Sequence, residues 1–213
     1  MYKLFLSSLI ILLSCGYLLA QKKDTVPQQD DLLNSLTADS TKPQKLLPDH
    51  IILTQRILWG QKGLMRGINT FKLTPENRAH ELKIRRTMLI CHQVMGSITS
   101  LGMIWQGIVG AKLYNGDRSL KDLHEALGVG VNISYFSTAA FTLFAPPKML
   151  DERKGYSSIK VHKWLAIVHM SGMIATNILA GQLESHPELK TWHRAAAFTA
   201  FGAFFLAEGV IKF

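Results

Sequence analysis

Charge is scarce in this 213-residue chain: Asp, Glu, Lys and Arg together make up 18% of it, less than a soluble domain of this length normally carries. The scarcity is uneven, because the 24 basic and 15 acidic residues largely avoid four long windows. With 47% hydrophobic residues and positive mean hydropathy, those windows leave too little polar surface to cover a soluble all-helical core. Cysteine is nearly absent too. Cys15 lies in an N-terminal apolar stretch and Cys91 inside another apolar run, which excludes a disulfide framework. Acidic side chains are too few to neutralise the basic ones, leaving a formal charge of +9 on loops and tails. Such short loops between lipid-length segments do not build a nucleic-acid surface, so no nucleic acid is expected. Membrane lipid with anionic headgroups is the expected partner.

Residues 1–20 read as an export segment. Lys3 supplies a basic start, Leu4 to Leu13 an apolar stretch, and Leu19-Ala20-Gln21 a cleavage site after Ala20. Two alternatives stay open: Leu12-Leu13-Ser14-Cys15-Gly16 is similar to a lipobox with Cys15 as the lipidated residue, and the segment can also remain as an uncleaved anchor. Each directs the chain to the inner (cytoplasmic) membrane of a bacterium-like cell as a multi-pass protein. Residues 21–48 are polar and read as a tether, with Lys22, Lys23, Asp24, Asp30 and Asp31 among few apolar side chains. Residues 49–84 form a basic juxtamembrane region. There Ile51, Ile52, Ile57, Leu58, Leu64, Met65 and Ile68 alternate with Arg56, Lys62 and Arg66 at helical spacing, predicting an amphipathic helix on the headgroups that Gly60, Gly63 and Gly67 weaken. Thr74-Pro75-Glu76 then marks a helix start.

Four apolar windows follow within residues 85–213, at about 87–109, 123–144, 161–180 and 192–211. Each is near the roughly 20 residues that cross a hydrocarbon core of about 30 Å. The expected fold is therefore all-α: a transmembrane four-helix bundle preceded by an export segment and an interfacial amphipathic helix.

Histidine is the unusual residue in these windows. His92, His124, His162, His169 and His193 place at least one imidazole in or at the rim of every span. Polar residues in hydrocarbon are costly and tend to line the bundle interior for a specific purpose, so five of them point to a bound metal or prosthetic group. Alternating helix directions put His92 with His162 or His169 toward one membrane face, side A, and His124 with His193 toward the other, side B. Each pair can supply two axial nitrogens to a haem iron. Tight histidine and carboxylate clusters for zinc are lacking, as are the Glu-x-x-His pairs of a di-iron bundle. His169 lies about 10 Å deeper than His162 on nearly the same face, and both stay open as the partner of His92.

Small residues follow four positions after four of these histidines: Gly96, Gly128, Ala166 and Ala197. They share the histidine's face and would clear it for a flat macrocycle. Arg85, Arg86 and Lys163 on side A, with Lys121 and Arg194 on side B, are candidate contacts for haem propionates, against a routine role in interfacial anchoring. Glu208 lies inside the last span, toward side A, as a candidate for ion pairing or proton movement.

The helix-opening sequences Cys91-His92-Gln93-Val94-Met95-Gly96, Leu123-His124-Glu125-Ala126-Leu127-Gly128, Val161-His162-Lys163-Trp164-Leu165-Ala166 and Trp192-His193-Arg194 resemble those of the cytochrome b561 family. The resemblance covers roughly residues 85–213. It implies a four-helix domain holding two b haems near opposite membrane faces, electron transport through the bilayer, and an oxidoreductase role with a quinone or redox protein as donor or acceptor. Only four clear spans are present and the N-terminal half contains no catalytic module, which leaves donor, acceptor and any assembly into a homo-oligomer or larger redox complex open. The competing class is a non-redox membrane scaffold or small transporter whose histidines serve packing or ion passage. Orientation is contradictory: an export segment places side A outside, whereas Lys83, Arg85, Arg86, Lys148, Arg153 and Lys154 place it inside by the positive-inside tendency.

Overall fold

A computed structural model describes residues 45–149 and 155–212, and every regular element in them is helical. The export segment and most of the tether lie outside the described residues. The elements are α1 (Leu53–Trp59), α2 (Pro75–Tyr114), α3 (Lys121–Leu143), α4 (Ser158–Ala180) and α5 (Lys190–Lys212).

Thr74 starts α2 as its neighbours dictate. Its Oγ1 accepts from the Asn77 N–H at 3.3 Å, Pro75 takes the first helical position, and Glu76 complements the positive helix end. The helix then runs for 40 residues, about 60 Å at 1.5 Å per residue and roughly twice a hydrocarbon core. Its first three turns therefore form a polar extension of the apolar part. Ser157 caps α4 in the same way, accepting from the Lys160 N–H at 3.3 Å.

The basic run before α2 does not form one amphipathic helix. Only the seven residues of α1 are α-helical, and short 3-10 turns follow at Leu64–Gly67 and Asn69–Phe71. Gly60 ends α1 in an extended conformation, and a Cβ there would lie 2.4 Å from the Arg56 carbonyl oxygen. The segment folds back onto protein: Trp59 Nε1 donates to the Phe144 carbonyl at 2.9 Å and Thr54 Oγ1 to that of Leu143 at 2.6 Å. Beneath it Glu81, fully buried, pairs with both Arg66 and Arg78. Arg78 also donates to the carbonyls of Leu46 and Pro147, each at 2.9 Å, so the buried charges are fully engaged.

Helices α2 and α3 form one antiparallel hairpin and α4 and α5 another, packed densely within each hairpin and sparsely between them. Glycine permits the close approaches. A Cβ at Gly102 would meet Val131 Cγ2 at 3.1 Å, and one at Gly172 would meet the Ala200 backbone at 3.1 Å. Side chains join the hairpins at three levels. Asn132 and Asn177 exchange amide hydrogen bonds of 2.7 and 2.9 Å, and Ser97 and Ser100 donate to the two Glu208 oxygens at 2.9 and 2.5 Å. Between these levels Met103, Val131, Tyr135, Met173, Ala200 and Phe204, from all four helices, make the apolar core.

Large apolar side chains otherwise face outward, including Ile108, Ile133, Trp164, Ile178 and Leu206. Among the described residues α2, the stretch Arg118–Leu143 and the stretch Pro187–Ile211 are long and apolar enough to cross a membrane. The chain is thus an all-helical protein with several long hydrophobic helices, consistent with a multi-pass membrane protein. Helix α4 falls outside that group, although it matches α3 at 23 residues.

Candidate paired-histidine site

His92 projects from α2, and its Nδ1 lies 2.9 Å from the Thr138 carbonyl oxygen of α3. A carbonyl only accepts, so Nδ1 carries the hydrogen and Nε2 keeps a lone pair. The same support recurs in the other hairpin. His162 Nδ1 donates to the Ala207 carbonyl at 2.8 Å, and His193 Nδ1 to the Thr176 carbonyl at 3.0 Å. Each of these three rings is thereby oriented by the main chain of its hairpin partner. His124 differs: Gln106 Nε2 donates to its backbone oxygen at 2.9 Å and stands 3.4 Å from its ring Nε2.

The rings meet between hairpins. His92 faces His162 with centroids 6.1 Å apart and planes at 85°, while His124 faces His193 at 6.5 Å and 78°. His169 takes no part in either pair. It is buried in the central core, where its Nδ1 is 2.5 Å from the Tyr135 hydroxyl and its ring packs edge-on against Phe204. Among the described residues no group of three or more histidine, cysteine or carboxylate side chains could hold a metal ion, so each pair offers two imidazoles and no further protein ligand.

The candidate rim contacts have varied surroundings. Arg85 donates to the Pro146 carbonyl at 2.7 Å, Lys121 bridges Glu125 and Glu184, and Arg194 lies 4.4 Å from the Tyr114 ring centre. Arg86 and Lys163 are exposed. The small residues after the histidines do not all clear the same space. A Cβ at Gly96 would meet only Thr138 Cγ2, at 3.8 Å, whereas one at Gly128 would crowd the Gln106 amide at 3.2 Å.

Gln106 escaped sequence reasoning, as did Tyr135 and the two serines on Glu208. Their signal was available in principle: each is a polar side chain inside an apolar window, where its partner has to be another protein group. No family model matches the chain, and neither a curated protein nor a solved structure is similar to it.

Proposed function

We propose that this chain is a b-type cytochrome in which α2 to α5 all cross the membrane, moving electrons between a reductant and a quinone, protein or metal acceptor. The spacing of the two ring pairs carries this reading. A metal–imidazole bond of about 2.0–2.1 Å, with a ring radius of about 1.1 Å for bonds near 1.33 Å, separates the centroids of two collinear imidazole ligands by roughly 6.4 Å. The pairs stand at 6.1 and 6.5 Å. The lone pairs kept on Nε2 of His92, His162 and His193 fit the same chemistry, since a ligating imidazole donates its other N–H to a fixed acceptor.

His92 with His162 and His124 with His193 would each hold one haem b in the sparsely packed seam between hairpins. Bound there, the haems supply one-electron redox chemistry at iron. The protein's residues orient the imidazoles and, through the central core of Tyr135, Met173 and Phe204, keep water from the space between the pairs. As a fourth span, α4 presents Trp164, Ile167 and Ile178 outward while Asn177 and His169 bond inward.

Reduced-minus-oxidised absorption spectra of protein purified in detergent are expected to show b-type bands from about two haems per chain. His92→Ala and His124→Ala should each remove a different haem. A colourless preparation, or variants that lose neither component, would end this reading.

A further inference from the structure

Three of the four paired rings rest on main-chain carbonyls, and His124 departs from that pattern. Its Nδ1 is buried without a hydrogen-bond partner, and the only other such side-chain atom among the described residues is Oε1 of Gln106. The two orphans belong to residues that touch, through the Gln106 amide nitrogen at 2.9 Å from the His124 backbone oxygen and 3.4 Å from its ring Nε2. A donor and an acceptor buried unpaired on adjacent side chains are complementary, and pairing them removes an unfavourable desolvation on both. Like the main-chain supports of the other rings, Gln106 comes from the hairpin partner of the histidine's own helix, but its amide nitrogen lies at ring Nε2 and not at Nδ1. Two glycines make room for the arrangement. A Cβ at Gly110 would lie 2.7 Å from His124 Cε1 and 3.2 Å from its Nδ1, and one at Gly128 would press on the Gln106 amide at 3.2 Å.

We propose that Gln106 is the positioning residue of His124, its amide oxygen accepting the Nδ1–H when Nε2 is engaged by iron. The inference rests on the di-haem reading above. While Nε2 is unengaged, the Gln106 amide N–H serves both the His124 carbonyl at 2.9 Å and that side of the ring at 3.4 Å; once Nε2 is engaged, the carbonyl remains its acceptor and the unpaired Oε1 is left to meet the unpaired Nδ1. The consequence is an asymmetry between the two centres. The His92/His162 centre is supported wholly by main-chain carbonyls, which no substitution deletes. The His124/His193 centre depends on a side chain and is tunable through it. A stronger acceptor at Nδ1–H makes an imidazole more electron-donating and favours the oxidised metal; a missing acceptor does the reverse.

The test is a potentiometric titration of the full-length protein in detergent, followed by absorbance, after haem content has been measured. Wild type is compared with Gln106→Glu and Gln106→Leu, and His92→Ala identifies which midpoint belongs to the His124/His193 centre. Gln106→Glu should lower that midpoint and Gln106→Leu raise it, with the His92/His162 midpoint unmoved in both. Two midpoints that stay put or shift together overturn the role of Gln106 and leave the di-haem reading standing. Protein that carries no haem overturns that reading and this inference with it. Should Gln106→Glu fail to accumulate, Gln106→Asn replaces it: one methylene shorter, it must raise the same midpoint alone, and no change overturns the proposal.

Discussion

Where α2 begins, Glu81 is fully buried between Arg66 and Arg78, and backbone carbonyls take up the remaining guanidinium hydrogens. At the opposite end Lys121 reaches Glu184 at 3.2 Å and Glu125 at 3.7 Å, with all three side chains more than half exposed. The same charges carry different weight in the two places. Water screens the exposed cluster and competes for it, whereas removing one member of the buried cluster strands the others without solvent. The two histidine pairs repeat the contrast. His92 and His162, nearer the buried cluster, both rest on main-chain carbonyls; at the exposed end His193 does so too, but the His124 ring nitrogen meets the Gln106 side chain instead, at 3.4 Å.

The comparison is most severely strained by Glu81→Ala. Loss of about 3–5 kcal/mol of stability is expected, because Arg66 and Arg78 are left as buried, unneutralised cations; denaturant unfolding in detergent measures it, and a loss below about 1 kcal/mol would place this cluster on a par with the exposed one. Next in size is Gly110→Ala, whose new Cβ would stand 2.7 Å from His124 Cε1 and force the ring aside. Overpacking of this kind costs about 1–3 kcal/mol, and the spectral component assigned to His124/His193 should weaken. Gly96→Ala, whose Cβ meets Thr138 Cγ2 at an ordinary 3.8 Å, should leave the unfolding midpoint of the haem-free protein unchanged. Equal loss of stability in the two variants would remove the distinction between the two glycines. Smallest of all is Lys121→Ala, for which no measurable change in unfolding midpoint is expected at moderate salt.

Local signals were legible where neighbouring residues decide the outcome. Thr74-Pro75-Glu76 starts a helix because its side chain, ring and charge all satisfy a helix N-terminus without tertiary help. The charge-poor windows became long helices for the same reason. The basic run 51–68 was harder, since its helical periodicity competed with its glycines. Gly60 prevailed, and the chain turned back so that Trp59 could reach Phe144. Spacing alone also does not reveal what neighbours each small residue: Gly128 lies four positions after His124 as Gly96 does after His92, yet Gly128 borders Gln106 from another helix and Gly96 borders Thr138.

What the sequence determined by itself was the helical, apolar character of the chain and the set of histidines on its long helices, because hydropathy and helix periodicity act over a few turns. Which of those histidines face one another was decided only by tertiary packing. His162 and His169 are seven residues apart, about two turns, and so point the same way from α4; the residue four positions on, Ala166 against Met173, slightly favours His162 without deciding between them. The separation comes from α3 and α5. The Tyr135 hydroxyl and the Phe204 ring hold His169 in the central core, and the Ala207 carbonyl holds His162 opposite His92.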